Sequence, residues 1–150
     1  MSVDWPRSAG LYDGEKCSVS GETNLAAMLA TLAPEMLEPE FVFASFETSG
    51  YGDHAELEPI GMFAEREGLT LIVPRHRADQ FGVAYESVFR CISLKLHSSL
   101  DAVGLTATFS QQLTAHGISA NVIAGYYHDH IFVQAERADD ALEAIRALST

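Results

Sequence analysis

Residues 67–80 read EGLTLIVPRHRADQ, and residues 127–140 read YHDHIFVQAERADD. At an offset of 60 positions, Val73 meets Val133, and the tripeptide Arg-Ala-Asp meets a second copy of itself. Each stretch predicts a strand followed by a helix, and a further helix precedes each of them along the chain. A repeated order of helix, strand, hairpin and helix indicates an internal duplication, so we expect two similar units.

The first half of the chain shows helical and strand periodicity in turn. Apolar residues recur at helical spacing from Leu25 to Leu32, and Pro34 is expected to end this helix. Residues 47–59 are rich in Gly, Ser and acidic side chains, which predicts a solvated loop or else a lid or partner surface. The other predicted elements are a buried strand at 41–46, a hairpin of 62–64 with 69–73 that turns at Gly68, and a short helix from residue 77.

The second half shows the same alternation of elements. Leu105, Phe109 and Leu113 line one face of a predicted helix, and Gly117 follows it where a left-handed residue commonly ends a helix. The predicted elements are a strand at 88–96, helices at 103–116 and 138–148, and strands at 118–127 and 131–134.

The composition excludes several classes of partner. The 150 residues include 21 acidic and 9 basic side chains, which gives a formal charge of −12 at pH 7. Such a surface repels phosphate backbones and anionic lipids, so we expect neither nucleic acid nor membrane as a partner. The N-terminus lacks the features of a signal peptide, and two cysteines cannot form a disulfide framework. We therefore expect a cytoplasmic protein whose partner is a small molecule, a cation or another protein.

The predicted element order is that of the ferredoxin-like α+β fold, with antiparallel sheets and helices on one face. Within this order, residues 100–106 (LDAVGLT) and 116–122 (HGISANV) resemble an ACT domain, in which a glycine opens the helix after the first strand. Residues 125–133 (GYYHDHIFV) resemble still more closely a largely uncharacterised bacterial family of tandem ACT-like proteins. The resemblance implies two ACT-like units, 1–87 and 88–150. Because an antiparallel sheet has unpaired edges, we expect exchange of edge strands between the two units or dimerisation through the sheets.

The resemblance implies regulation and not catalysis. ACT domains typically bind amino acids or other small effectors and pass the signal to an enzyme. Because two units occupy the chain, we expect a free-standing sensor, or a subunit that acts on an unidentified target protein, with no cofactor. Unpaired sheet edges favour a homodimer. A structural or protein-interaction module without a ligand is the alternative.

The candidate ligand site is the segment between the second unit's first strand and its helix. Gly104 would let a ligand approach the backbone, and N–H groups at the helix start would face a carboxylate. Asp101 would pair with an ammonium group, although the same residues also suit helix packing and capping. In ACT domains the region that corresponds to residues 121–124 contributes backbone hydrogen bonds to an effector across a domain or subunit interface, although the same residues also suit an ordinary core strand. The ligand-binding candidates are Ser98, Ser99, Asp101, Val103, Gly104, Leu105, Asn121, Val122 and Ile123.

Two histidines, His128 and His130, flank Asp129 at the predicted hairpin. Residues two apart on a strand point the same way, a spacing that also occurs in metal sites, but a catalytic zinc usually needs three protein ligands. Histidine and aspartate at a turn also make structural hydrogen bonds. We therefore predict a contact element and no metal, with a metal-dependent enzyme using these three residues as the remaining alternative.

Overall fold

Six strands and four helices make up the described part of the chain, residues 24–95 and 103–149 of a computed structural model. No helix in these two ranges is long and apolar enough to cross a membrane. Short 3-10 turns lie at Ala55–Leu57, Ala135–Arg137 and Ala147–Ser149. The strands are β1 (Ala33–Phe46), β2 (Gly61–Glu65), β3 (Gly68–Pro74), β4 (Phe89–Lys95), β5 (Ala120–Ala124) and β6 (Asp129–Gln134). The helices are α1 (Leu25–Ala30), α2 (Arg75–Gln80), α3 (Leu105–Ala115) and α4 (Ala138–Arg146).

The elements with strong hydrophobic periodicity are confirmed. Strands β2 and β3 form the predicted hairpin, in register from Gly61 opposite Ile72 to Glu65 opposite Gly68. Helix α3 buries the three predicted residues, Leu105, Phe109 and Leu113. Strand β4 buries side chains on both faces, because one face lies beneath the helices and the other belongs to an aromatic cluster.

Strand β1 is much longer than predicted. It begins at Ala33, so Pro34 lies inside a strand and not at the end of the preceding helix, which already ends at Ala30. Pro34 pairs with Leu94 of β4, and the β3 pairing starts only at Phe41. A proline lacks an N–H donor and is tolerated where a strand has a neighbour on one side only, as β1 has at this point.

The strands form one antiparallel sheet in the order β2-β3-β1-β4-β6-β5. The second half of β1 pairs with β3, its first half pairs with β4, and the register shifts between Met36 and Glu40. The first half of β1 therefore supplies a fourth strand beside β4, β6 and β5. Because β1 serves both halves of the sheet, a division of the chain after residue 87 stays a prediction.

The helices cover one face of this sheet, as predicted. Two clusters of buried side chains lie between them and the strands, one under α1, α3 and α4 and one under α2. Each fully buried Leu, Ile or Phe in such a cluster stabilises the fold by roughly 1.5–3 kcal/mol. The strand residues of these clusters include Val42, Val73, Ile92, Leu94, Ile131 and Val133.

The opposite face carries a separate aromatic cluster to which no described helix contributes. Phe41, Ile72, Cys91 and Phe132 are buried in it, and Phe43 and Phe89 pack against them. Burial raises the pKa of the Cys91 thiol to about 12. This thiol is therefore protonated at neutral pH and acts as a small apolar group.

Candidate functional site

Helix α3 begins at a glycine in a left-handed conformation. Gly104 has φ 96° and ψ −15° and stands at the N-cap, where it offers no side chain to the helix. Its carbonyl oxygen accepts the Thr108 N–H at 3.0 Å and the Thr108 hydroxyl at 2.7 Å. The N–H groups of the first turn have no acceptor within the helix, so they can bind an anionic group.

The predicted neighbours of Gly104 have different environments. The Val103 side chain is 84% exposed, whereas Leu105 is 3% exposed and packs in the core. Leu105 can therefore reach a ligand only through its backbone. Ser98, Ser99 and Asp101 lie outside the described residues, and their part in a site stays a prediction.

The start of α3 lies at the end of the sheet where β4 ends. A β-carbon on Gly104 would lie 3.3 Å from Cδ2 of Leu25, so α1 packs against the start of α3. Helix α1 leads directly into Ala33, which pairs with Lys95, the last residue of β4. Next to Lys95, Leu94 pairs with Asp129 of the β5–β6 hairpin. The turn of this hairpin and the first turn of α3 therefore occupy the same end of the sheet.

Asp129 also shares the face on which α3 lies. Cross-strand partners point to the same face, and Leu94, the partner of Asp129, belongs to the core beneath the helices. Asp129 is half-buried, and desolvation raises the pKa of its carboxyl group, while His130 and His128 oppose this change. A half-buried carboxylate of this kind would gain from a cationic partner.

The two histidines of the hairpin differ in their surroundings. His130 pairs with Ser93 and lies on the face opposite to Asp129. Desolvation, followed by the charge of His128, lowers the pKa of the His130 imidazole, so its neutral form is favoured. The Nδ1 atom of His128 is buried and has no hydrogen-bond partner in the described part of the chain.

The hairpin turn itself is tight. The Gly125 N–H donates to the His128 carbonyl oxygen at 2.9 Å, and a β-carbon on Gly125 would lie only 2.8 Å from that oxygen. Tyr126 and Tyr127 stand at its tip with 62% and 58% of their surface exposed. Within residues 24–95 and 103–149, no three His, Cys, Asp or Glu side chains come together as a metal ion would require.

The candidates on β5 lie on both faces of the sheet. Asn121 and Ile123 are partners of Phe132 and His130, on the face opposite to the described helices (the open face), whereas Val122 faces the helices opposite Ile131. Asn121 lines a cavity of about 530 Å³ on the open face. The sequence-predicted site is therefore divided between the two faces of the sheet.

The sequence analysis did not predict the side-chain contacts that hold the loop at residues 47–59 in place. Arg77 holds Glu58 through two hydrogen bonds of 2.6 and 3.1 Å, and the His54 ring stacks on Phe46 at 3.9 Å. Leu57 is 1% exposed, and a cavity of about 460 Å³ lies between this loop and β2. The one signal in the sequence is Leu57 itself, an apolar residue between two glutamates.

Comparisons with known proteins agree with this architecture. Family models described as ACT domain match residues 20–90 and residues 86–147. No curated protein matches the chain in sequence.

Solved structures with a similar fold include the following two. A Vibrio cholerae protein, described as of unknown function and as a possible transport protein, is 46% identical and superposes with a TM-score of 0.77, covering 84% of this chain and 96% of that one. The ligand-free regulatory subunit of aspartate kinase from Thermus thermophilus is 12% identical and superposes with a TM-score of 0.56, covering 78% of this chain and 95% of that one. The second likeness concerns the fold alone. The chain therefore belongs to the ACT-domain family and carries two ACT domains in tandem.

Proposed function

We propose that this protein is a regulatory protein that binds an amino acid at the end of the sheet where α3 begins. ACT domains are regulatory domains, and no catalytic step is part of this proposal. The observation that carries it is the left-handed Gly104, an N-cap residue that offers the first turn of α3 no side-chain hydrogen bond. Asp129, on the same face and at the same end of the sheet, supplies the opposite charge.

The carboxylate of the amino acid binds the start of α3. The helix has 11 residues, so its dipole adds a positive potential to the N–H groups of its first turn. Gly104 carries no side chain that would block the approach of the ligand. A carboxylate at this position takes the place of a capping side chain.

The ammonium group of the amino acid pairs with Asp129 or with Asp101. Asp129 is half-buried and carries a raised pKa, so a cation beside it relieves the cost of keeping the carboxylate charged. Asp101 is the partner predicted from the sequence. Both assignments give a zwitterion one site for each of its charges.

A ligand bound at the start of α3 would lie close to residues that connect to the sheet. Leu25 contacts Gly104, and the helix that carries Leu25 leads into β1, which pairs with strands of both halves. A ligand that shifts the start of α3 therefore acts on the strand that joins the two ACT domains. We include in this proposal a homodimer and an unidentified target protein that reads the change.

Isothermal calorimetry of the full chain against the twenty amino acids, after a thermal-shift screen, tests this proposal. The best hit should bind Asp129→Asn about 5- to 100-fold more weakly, the range for a charge-assisted hydrogen bond. Asp139→Asn is the matched control, because Asp139 is an exposed aspartate in the first turn of α4. Absence of binding by every amino acid, or equal affinity in Asp129→Asn and Asp139→Asn, would contradict the proposed site.

A protein-interaction module is the second candidate function, and the hairpin tip favours it. Tyr126 and Tyr127 are largely exposed and meet edge to face, with ring centroids 5.1 Å apart. Exposed tyrosines are common anchors in protein interfaces. If this candidate is correct, replacing both tyrosines by serine weakens the self-association of the chain, which sedimentation velocity measures. Amino-acid binding should stay intact in this variant.

A further inference from the structure

A cavity lies at the seam between the two ACT domains, on the face to which no described helix contributes. Phe41 of β1 pairs with Phe89, the first residue of β4, so Phe43 and Ser45 extend beyond the β4 pairing. The cavity of about 530 Å³ occupies this gap, and we call it the seam cavity. It is lined by Phe43 and Ser45 of β1, Phe89 of β4, Asn121 of β5 and the segment 84–87.

One wall of the seam cavity is built by the segment 84–87, which is fixed at both ends. The Val83 N–H donates to the Ala78 carbonyl oxygen at 2.8 Å, and the Ala135 N–H donates to the Val88 carbonyl oxygen at 3.0 Å. In the middle, the Tyr85 hydroxyl donates to Asp79 at 2.7 Å. A wall held in this way is preformed, which lowers the entropic cost of binding a ligand.

The floor of the seam cavity is aromatic. The rings of Phe43 and Phe89 meet edge to face with centroids 5.1 Å apart, and Phe43 meets Phe132 in the same way at 5.5 Å. Phe43 and Phe89 are half-buried, so part of each ring still faces the cavity. Such a floor suits an aromatic or branched apolar group, and ring faces also attract cations.

The polar lining is acidic. Glu86 is the single carboxylate among the described lining residues, and none of them is Lys, Arg or His. Ser45, Ser87 and Asn121 add hydroxyl and amide groups that can orient a polar head group. With a formal charge of −12 on the whole chain, the seam cavity favours a cation over an anion.

We propose that the seam cavity binds a primary amine with an aromatic or branched apolar body, its ammonium group at Glu86 and its apolar body on Phe43 and Phe89. The volume falls within the usual range for small-molecule sites. This site lies on the opposite face of the sheet from Asp129 and is separate from the proposed amino-acid site. Because its lining comes from β1, β4 and β5, an occupant contacts both ACT domains at once.

The experiment compares two probes of nearly equal size and opposite charge, 2-phenylethylamine and 3-phenylpropionate. Calorimetry and thermal shift on the full chain should show binding of the amine and none of the carboxylate at the same millimolar concentration. Equal binding of both probes, or binding of neither, would overturn the proposal.

Four variants locate the binding. Glu86→Gln should weaken amine binding about tenfold, as expected for the loss of one charge-assisted contact, whereas Glu143→Gln removes the same charge from α4 and should change nothing. Asn121→Asp adds a carboxylate at an exposed position of the lining and should strengthen amine binding. Unchanged affinity in both Glu86→Gln and Asn121→Asp would contradict this site. Asp129→Asn should leave amine binding intact, so this test fails or succeeds independently of the amino-acid proposal.

Discussion

Gly104 and Leu25 meet at the point where α1 packs against the start of α3, with 3.3 Å between Cδ2 of Leu25 and the position of a β-carbon on Gly104. The same glycine has a positive φ and, as the N-cap residue, offers the helix no side-chain hydrogen bond. Helix packing and ligand access are the two roles that the sequence allows for this residue. The structure shows the packing role, and ligand access at this glycine stays a prediction.

The first prediction separates the backbone cost of Gly104 from its packing cost. Gly117, at the other end of α3, also has a positive φ of 67°, but nothing lies within 4 Å of a β-carbon there. We expect Gly117→Ala to lower the free energy of unfolding by about 1 kcal/mol and Gly104→Ala by about 2–3 kcal/mol. Urea unfolding measures both. In a Leu25→Ala background the difference should shrink, and equal losses in the original background would contradict the packing argument.

The second prediction concerns the loop between β1 and β2. Arg77 binds Glu58 through two nitrogens, whereas its repeat equivalent, Arg137, contacts Asp140 and donates to the His116 carbonyl oxygen at 3.0 Å, in the other half of the chain. Lysine cannot form the two parallel hydrogen bonds of a guanidinium, so Arg77→Lys should release the loop. Hydrogen exchange in residues 50–60 should accelerate, with global stability lowered by less than about 1 kcal/mol because the pair is partly exposed. Arg137→Lys is the control, and equal exchange in the two variants would disprove the role of the Arg77 pair.

The sequence predicts the local elements well and the shared strand poorly. The β2–β3 hairpin and the buried face of α3 have clear hydrophobic periodicity, and both are confirmed. The first half of β1 reads APEMLEPE, in which proline and glutamate hide the strand, because its extended conformation depends on the distant β4. The Arg77–Glu58 pair likewise joins positions 19 residues apart and leaves no periodic signal.

The same reasoning applies to the candidate site. Gly104 is recognisable in the sequence because it stands directly before the apolar stripe of a helix. The seam cavity is not recognisable there, because it depends on how far β1 extends past the start of β4. That relationship is set by the register between strands far apart in sequence.

The third prediction follows from His130. Desolvation lowers its pKa in the folded protein, so the unfolded chain binds the proton more readily as the pH falls through the ordinary histidine value of about 6.5. This contribution to stability is therefore complete above that pH and is lost below it. His130→Gln should flatten the fall in stability between about pH 7 and 5, whereas the exposed His76→Gln should not. Thermal unfolding across this range checks the prediction, and parallel curves for the wild type and His130→Gln would contradict it.

The fourth prediction concerns Asp129, where stability and binding should move in opposite directions. Desolvation raises its pKa in the folded protein, so the folded state holds the proton more tightly than the unfolded chain does. At neutral pH the charged carboxylate therefore costs stability, and this cost begins to fall at the raised pKa and is gone below the ordinary aspartate pKa. Asp129→Asn should raise the melting temperature at pH 7 and converge with the wild type in acid, while it weakens amino-acid binding in the calorimetric test. An aspartate with a purely structural role would instead lower stability when replaced and leave ligand affinity unchanged, so measuring both quantities on this one variant distinguishes the two roles.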